Sequence, residues 1–336
     1  MIREIGSEFH RVELETGCGL SLPFEGSLVF SGRTAIETVL KNLPHAKQAL
    51  LPSYCCDSMI EPFKKAGISV DFYSVKYENG LTINVQIPDG TDILLWCGYF
   101  GYRTPMPDMA KFKKSGGVII EDITHSLFSE KVCNSQSDYL VASIRKWEPI
   151  NCGGYCAAVN GNLEHIPTSA PPLEFVENKA SAMNIKKEYL DNFDEQKKKL
   201  FLSIFVDSNQ WLAKNYSELV IDYESKKFLE CVDVVKQRQI RRNNAHVLHK
   251  RLENKIKFLF TEDEMDCPLF VPIIVQNRDE VRKVLTDNKI YCPIHWPHPN
   301  AKCESNLYDL ELSLICDQRY TEEDMDRIVT VLSELI

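Results

Sequence analysis

Long apolar runs are missing from this sequence of 336 residues. The longest, residues 93–100, contains eight residues and includes a glycine, whereas a membrane-spanning helix needs about 20. Residues 1–11 alternate charged and apolar side chains and lack the basic-then-apolar pattern of a secretory signal. We therefore expect no transmembrane segment and no export, and we expect the protein in the cytoplasm.

Positively charged residues are also fewer than negatively charged ones. The chain has 39 Lys and Arg against 48 Asp and Glu, which gives a formal net charge of −9. Proteins that bind nucleic acid draw much of their affinity from clustered Lys and Arg. We expect neither nucleic acid nor an anionic membrane surface as a partner.

Disulfide and metal-binding patterns are absent as well. The 12 cysteines are spread along the chain without Cys-x-x-Cys spacing, and many lie in apolar segments. Cys152 and Cys156 have no second ligand pair nearby in the sequence, and neither have His295 and His298. We expect reduced, mostly buried thiols and no metal site.

The first half of the chain contains alternating strand and helix patterns. Its β-rich runs lie at 27–30, 49–52, 70–75, 93–97, 118–121, 139–142 and 155–159, and its helical patterns at 34–43, 57–66 and 107–114. Such alternation predicts βαβ units and an α/β fold in three layers, α/β/α, with a mostly parallel central sheet.

The second half has a different pattern. Residues 161–172 are rich in proline and interrupt the alternation, and residues 173–254 have long helical periodicity. Two strand-like runs, 269–275 and 311–315, and two helical runs, 279–287 and 322–335, complete the chain. We predict a large domain over 1–225 and a small C-terminal α+β domain over 226–336.

Four segments directly follow predicted strands, where ligands of open α/β sheets bind. They are residues 31–34 (Ser-Gly-Arg-Thr), 53–54 (Ser-Tyr), 121–125 (Glu-Asp-Ile-Thr-His) and 143–146 (Ser-Ile-Arg-Lys), the last followed by Gly153 and Gly154. The first places backbone N–H groups at a helix N-terminus, which favours a phosphate. Purely structural explanations exist too: a helix capped by Thr34, a cap at Asp122 and a solvated Lys146.

Together the four segments fit one ligand. It would have a phosphate, an aromatic ring, a ring nitrogen that needs a carboxylate, and an aldehyde that reacts with a lysine. Pyridoxal phosphate has all four, and its known protein contacts are a lysine and an aspartate. The G-x-G-x-x-G fingerprint is absent, which disfavours a nicotinamide dehydrogenase.

The same segments resemble motifs of one family. Five segments resemble motifs of the DegT-type (DegT/DnrJ/StrS) sugar aminotransferases. They are the phosphate loop at residues 31–35, the Pro-Ser-aromatic segment at 51–54, the Tyr/Phe-Gly turn at 99–101, the helix start at 106–109 and the Glu-Asp signature at 121–125. These are pyridoxal-phosphate enzymes of fold type I. Two glycines follow the family's lysine at the seventh and eighth positions, as Gly153 and Gly154 follow Lys146.

The resemblance implies roles for individual residues. Lys146 would bind the cofactor covalently and, with Asp122 on the ring nitrogen, carry the catalysis. The remaining cofactor contacts would come from the phosphate loop, an aromatic side chain, the signature histidine and the serine before the lysine: Gly32, Arg33, Thr34, Tyr54, His125 and Ser143. His295 and Arg319 are substrate-side candidates.

The resemblance also implies a reaction. It is the transfer of an amino group from a glutamate-like donor to a nucleotide-linked keto sugar, in the synthesis of surface polysaccharides or amino sugars. The resemblance further implies a homodimer with sites at the subunit interface. An anionic substrate would need local attraction from Arg33, Arg145 or Arg319, because the net charge of −9 opposes it. The sequence leaves two alternatives open: a dehydratase or other lyase that uses the same cofactor, and a catalytically silent relative.

Overall fold

An eight-stranded sheet forms the centre of the molecule in the computed structural model, which describes residues 3–13, 17–132, 134 and 136–335. Its strand order is β2-β9-β8-β7-β6-β3-β4-β5. The strands are β2 (Ser27–Val29), β3 (Gln48–Pro52), β4 (Ser69–Tyr77), β5 (Leu81–Asn84), β6 (Ile93–Cys97), β7 (Val118–Asp122), β8 (Tyr139–Ala142) and β9 (Gly154–Ala158).

Five neighbouring strands, from β8 to β4, run parallel, whereas β9 and β5 pair with them in the antiparallel direction. Strand β8 has both faces buried: Leu140 and Ala142 contribute to one apolar cluster and Val141 to the other. Burial on both faces is typical of a sheet between two helical layers. The predicted α/β class with a mostly parallel central sheet is confirmed; β5 was not predicted.

Helices flank this sheet. In chain order they are α1 (Gly32–Lys41), α2 (Asp57–Lys65), α3 (Ala110–Lys114), α4 (Leu173–Asn192) and α5 (Glu195–Lys214). The last two form an antiparallel hairpin, because Phe193 adopts a left-handed conformation that ends α4 and Asp194 caps the start of α5. No helix in the described part of the chain is long and apolar enough to cross a membrane.

The C-terminal part has its own apolar core. Its helices are α6 (Tyr223–Leu229), α7 (Val234–Leu252), α8 (Arg278–Asp287), α9 (Leu307–Leu310) and α10 (Glu322–Ser333), and its strands are β10 (Lys257–Phe258), β11 (Val271–Ile274), β12 (Ile290–Tyr291) and β13 (Glu311–Leu314). Strands β10, β11 and β13 form an antiparallel sheet. The predicted domain boundary between residues 225 and 226 falls inside α6 and stays a prediction.

The N-terminal segment packs against this C-terminal part. Strand β1 (Ile5–Gly6) pairs in parallel with β12, and Ile5 is fully buried in the C-terminal core. The chain therefore passes from the C-terminal core, through residues 7–13, to the large sheet. The sequence gives little signal for this pairing, because a strand of two residues has no periodicity.

Gly154 allows β9 to lie against the start of α1. A Cβ atom at this position would be 2.3 Å from the carbonyl oxygen of Ser31, so backbone would have to move. We predict that Gly154→Ala lowers the free energy of unfolding by about 1–3 kcal/mol, as measured by chemical denaturation. Gly98→Ala is the matched control, because its Cβ would meet nothing closer than 3.5 Å. Equal stability of the two variants would contradict this account.

Candidate active site

A cavity of about 270 Å³ lies where the parallel strands end and α1 begins. Six of the residues predicted to contact the cofactor line it: Gly32, Arg33, Asp122, His125, Ser143 and Lys146. The ladder explains part of this convergence, because Asp122 pairs with Val141 in the register of β7 and β8. Residues that follow those two strands therefore emerge side by side.

Thr124 joins the two strand ends. Its N–H donates to Oδ1 of Asp122 at 2.9 Å, and its Oγ1 accepts the N–H of Ser143 at 3.0 Å. Its carbonyl oxygen accepts the indole N–H of Trp147 at 2.6 Å. One residue thus fixes the carboxylate at the end of β7 and the short 3-10 turn, Ile144–Lys146, that follows β8.

Lys146 projects from this turn into the cavity. The next residue, Trp147, is fully buried and stacks on Phe128 with ring centroids 4.5 Å apart, which anchors the turn. Solvent reaches the Lys146 side chain through the cavity, and its amine has no ion pair or hydrogen bond among the described residues. Protein surrounds the amine on its other sides, so burial, followed by the nearby Arg145, lowers the pKa of Lys146.

The pKa of Asp122 is shifted in the opposite direction, upward. The residue is 7% exposed, and burial raises the pKa of its carboxyl group, against the effect of the Thr124 N–H and of Lys146. A cation placed in the cavity beside Asp122 would favour the ionised carboxylate. The site thus has a place for a protonated ring nitrogen.

His125 and Trp296 form a wall of the cavity. Their rings stack with centroids 5.4 Å apart and an interplanar angle of 24°. Nδ1 of His125 accepts the N–H of Phe100 at 3.1 Å, so in the neutral ring the hydrogen is on Nε2. Burial and the nearby Lys146 lower the pKa of His125 to about 3. The ring is therefore a neutral hydrogen-bond donor at physiological pH.

The start of α1 forms the other end of the cavity. Ser31 caps the helix by accepting the N–H of Thr34, so in the purely structural alternative the capping residue is Ser31 and not Thr34. Gly32 packs closely on Ser143, since an added Cβ would be 3.1 Å from the Cβ of Ser143. The hydroxyl of Ser143 is buried and has no hydrogen-bond partner among the residues that the structure describes. An unpaired hydroxyl beside a helix N-terminus fits an anionic group such as phosphate.

Arg33 completes this end. Its Nε donates to Glu61 at 2.9 Å, and the arginine side chain is 15% exposed. The salt bridge with Glu61 leaves the terminal guanidinium nitrogens without a hydrogen-bond partner among the described residues, so one carboxylate positions the side chain while it still lines the cavity.

A second cavity, of about 430 Å³, lies on the other side of Lys146. Both cavities are lined by Arg145 and Lys146. The second one also contains His295 and Arg319, the two substrate-side candidates, together with Glu8 from the N-terminal segment. Although burial opposes it, the nearby Lys179 and Arg145 lower the pKa of Glu8.

The two substrate-side candidates are already engaged. Arg319 makes two hydrogen bonds to Asp317, at 2.8 and 2.7 Å, and its guanidinium lies 4.2 Å from the centre of the Phe9 ring. Nδ1 of His295 lies 2.8 Å from the hydroxyl of Ser313. Arg319 therefore has a carboxylate partner inside the protein, whereas Arg145 has no hydrogen bond or ion pair to any described residue and its Nε is buried.

Two predicted cofactor contacts, Thr34 and Tyr54, line neither cavity. Thr34 is fully buried and donates its hydroxyl to the carbonyl oxygen of Tyr216 at 2.8 Å. The ring of Tyr54 is buried behind the cavity wall, with its centroid 5.1 Å from that of Trp296. Trp296, rather than Tyr54, is the aromatic side chain that reaches the cavity.

The sequence pattern indicated Arg145 only as a source of attraction for an anionic substrate, and it indicated no role for Thr124 or Trp296. Thr124 belongs to the Glu-Asp signature, and Arg145 directly precedes the lysine, so their positions were available as signals. Trp296 lies next to the substrate-side candidate His295, in a segment that resembles a His-aromatic loop of the family, but its place on the cavity wall depends on the fold because it comes from the C-terminal part of the chain. The described residues contain no group of three or more His, Cys, Asp or Glu side chains that could hold a metal ion.

The arrangement brings together three chemical capacities. An amine with a lowered pKa can act as a nucleophile and as a proton carrier. A buried carboxyl group can stabilise a cationic ring nitrogen. A helix N-terminus with an unpaired hydroxyl can hold a phosphate. These are the contacts that a phosphorylated aromatic aldehyde would need.

Comparisons with known proteins find likeness in structure only. No family model matches the sequence, and no curated protein matches it. DesI, crystallised with its TDP-sugar product, matches with a TM-score of 0.63 at 12% identity, over 92% of this chain and 80% of its own.

Two further solved structures give similar values. A DegT DnrJ EryC1 StrS aminotransferase from Brucella abortus has a TM-score of 0.61 at 14% identity, covering 94% of this chain and 87% of its own. Spr1654 from Streptococcus pneumoniae, in its PLP form, has a TM-score of 0.62 at 13% identity, covering 94% and 89%. The likeness confirms the fold that the resemblance implied, that of the fold type I enzymes.

The protonation state of His125 can be tested directly. We predict that its ring stays neutral, with the hydrogen on Nε2, down to about pH 4, because burial and Lys146 disfavour the cation. Nitrogen-15 NMR of histidine-labelled protein measures this state, and the His125→Asn variant assigns the signals. A titration midpoint above about pH 5 would contradict the prediction.

Proposed function

We propose that the protein is a pyridoxal-phosphate-dependent aminotransferase of the DegT type. It would transfer an amino group from a donor such as glutamate to a keto sugar, in nucleotide-linked form, in the synthesis of surface polysaccharides or amino sugars. The observation that carries the proposal is the convergence of Lys146 and Asp122 on one cavity, beside the unpaired hydroxyl of Ser143. The fold shared with aminotransferases supports it.

The residues present fit this cofactor. Gly32, Arg33 and Ser143 would hold the phosphate at the start of α1, and Asp122 would face the ring nitrogen. His125 and Trp296 would lie against the ring or its hydroxyl group. Bound in this way, pyridoxal phosphate supplies an electron sink for bonds broken at the carbon that bears the nitrogen.

Lys146 would carry the proton in the reaction. An amine that moves a proton between two carbons must be neutral for part of the cycle, which a lowered pKa permits near neutral pH. Burial and Arg145 lower the pKa of Lys146 in the direction that this role requires. Asp122 would hold its charge opposite the ring nitrogen and keep that nitrogen protonated.

The second cavity would take the substrates. It meets the first at Lys146, so a group bound there is next to the amine. Arg145 supplies a guanidinium without a partner at the junction, which favours a substrate that carries a carboxylate or phosphate. A nucleotide-linked sugar is supported by DesI, which was crystallised with a TDP-sugar product.

The proposal includes a homodimer with sites at the subunit interface, as in the family that the sequence resembles. Lys146 favours amino transfer over the lyase alternative, because some dehydratases of that family have histidine in its place. A catalytically silent relative would have no need for a free amine and an unpaired hydroxyl in one cavity.

Absorbance spectra can test both the covalent role of Lys146 and the amino transfer by the protein. We predict that wild-type protein binds added pyridoxal phosphate with a visible band, that glutamate converts this band to that of the amine form, and that a keto-sugar nucleotide restores it. After dialysis, the Lys146→Ala variant should keep no more than about one tenth of the cofactor that wild-type protein keeps, because the covalent link is gone. The control is Lys199→Ala, which removes an exposed lysine.

Each contrary result has a distinct meaning. Wild-type protein that stays colourless with added cofactor would support the silent relative. A visible band that glutamate leaves unchanged would reject amino transfer from that donor. Equal retention of cofactor by Lys146→Ala and wild type would reject the assignment of the lysine.

Arg145 is predicted to set the reactivity of Lys146. Arg145→Gln should raise the pKa of Lys146, because the guanidinium is the nearby charge that lowers it most. A higher pKa leaves less neutral amine, so covalent association of pyridoxal phosphate with cofactor-free protein should slow roughly fivefold at pH 7, and its pH profile should move to higher pH. Arg145→Lys should restore most of the rate. An unchanged profile in Arg145→Gln would exclude this role.

A further inference from the structure

The loop over residues 295–306, which we call the roof loop, covers the cavity from the C-terminal part of the chain. Trp296 and Pro297 line the cavity. Farther along, the backbone N–H and side-chain amide of Asn300 donate to the carboxylate of Asp57, at 3.0 and 2.9 Å. The roof loop therefore rests on the start of α2, which forms another part of the cavity wall.

Two cysteines lie close together at this contact. Cys303 lies in the roof loop and Cys55 directly precedes the cavity residue Cys56, and the thiols of Cys55 and Cys303 shift each other's pKa. Tyr308 bridges the same two residues. Its hydroxyl lies 3.6 Å from Sγ of Cys303, accepts the N–H of Cys55 at 3.0 Å and donates to the carbonyl oxygen of Cys55 at 2.8 Å.

The two thiols differ in access and in acidity. Cys303 is partly exposed, whereas Cys55 is fully buried. Interaction with the Cys55 thiol, partly offset by burial, lowers the pKa of Cys303 to about 6, and the Tyr308 hydroxyl contributes. The same interaction, together with burial, raises the pKa of Cys55. An accessible thiolate beside a buried thiol is the usual arrangement of a peroxide-sensitive pair.

We propose that Cys55 and Cys303 are a site of disulfide formation in the presence of a hydroperoxide. The Cys303 thiolate attacks the peroxide, takes up one oxygen as a sulfenic acid and releases an alcohol or water. Cys55 then attacks the sulfenic sulfur, the S–O bond breaks, and the Cys55 proton leaves with the oxygen as water. One peroxide is reduced by two electrons and the two thiols are oxidised by two.

The bond would tie the roof loop to the cavity wall. The neighbouring thiol of Cys56 contacts a different residue, since its sulfur lies 2.8 Å from the hydroxyl of Ser58. Closure of a covalent link between residues 55 and 303 restricts local opening of the loop that carries Trp296 and Pro297. The inference concerns the thiols themselves and does not depend on which cofactor or substrate the cavity takes.

Peroxide treatment of the whole folded protein tests the proposal. After a mild excess of hydrogen peroxide, non-reducing peptide mapping with fragmentation should find Cys55 joined to Cys303, with a mass loss of about 2 Da that dithiothreitol reverses. Limited trypsin cleavage after the exposed Lys302 provides a second readout. We expect that cleavage to slow about tenfold in the oxidised protein, because the loop opens less often.

Three variants define the result. Cys303→Ser should form no bond and lose the slowing, whereas Cys56→Ser and Cys18→Ser, which removes an exposed thiol, should keep both. A folded protein in which Cys303 is overoxidised or joined to Cys56 while Cys55 remains a free thiol would overturn the proposal. A Cys55–Cys303 bond that leaves the rate of cleavage after Lys302 unchanged would overturn the part of the proposal in which the bond restricts opening of the roof loop.

Discussion

The three hydrogen bonds of Thr124 are the interaction on which the rest of the site depends. The sheet brings the ends of β7 and β8 side by side, but a shared ladder fixes only the backbone up to Asp122 and Val141. Beyond the ladder, Thr124 holds the Asp122 carboxylate, the Ser143 N–H and the Trp147 indole at once. The aspartate, the serine and the lysine turn therefore keep one relative geometry, as preorganised catalysis requires.

Burial then sets the chemistry of the groups that Thr124 positions. It raises the pKa of Asp122 and lowers that of Lys146, so each group is displaced toward its neutral form. A ligand that brings a ring cation to the aspartate and an aldehyde to the amine would relieve both costs. The unpaired hydroxyl of Ser143 has the same character, since a phosphate oxygen would satisfy it. Asp122, Ser143 and Lys146 all line one cavity.

Position along the strands made part of this site predictable. Asp122 ends β7, and Ser143 and Lys146 lie in the segment that follows β8. The structure explains Gly154, because only glycine lets β9 approach Ser31. The side chains of Thr34 and Tyr54 were harder to place, because their orientation depends on packing: one points back to Tyr216 and the other into a buried aromatic cluster. Trp296 and the Arg319–Asp317 pair arise from long-range contacts that no local pattern encodes.

Chemical trapping tests the central claim most directly. If Lys146 is the residue that binds the cofactor covalently, borohydride reduction of the protein with pyridoxal phosphate should leave a stable pyridoxyl group, and peptide mapping should find it on Lys146. The buried Lys179 and Lys186 are the internal comparison, because burial lowers the pKa of the first to about 8 and of the second to about 7. Labelling of either of those lysines instead of Lys146, or of none, would contradict the account.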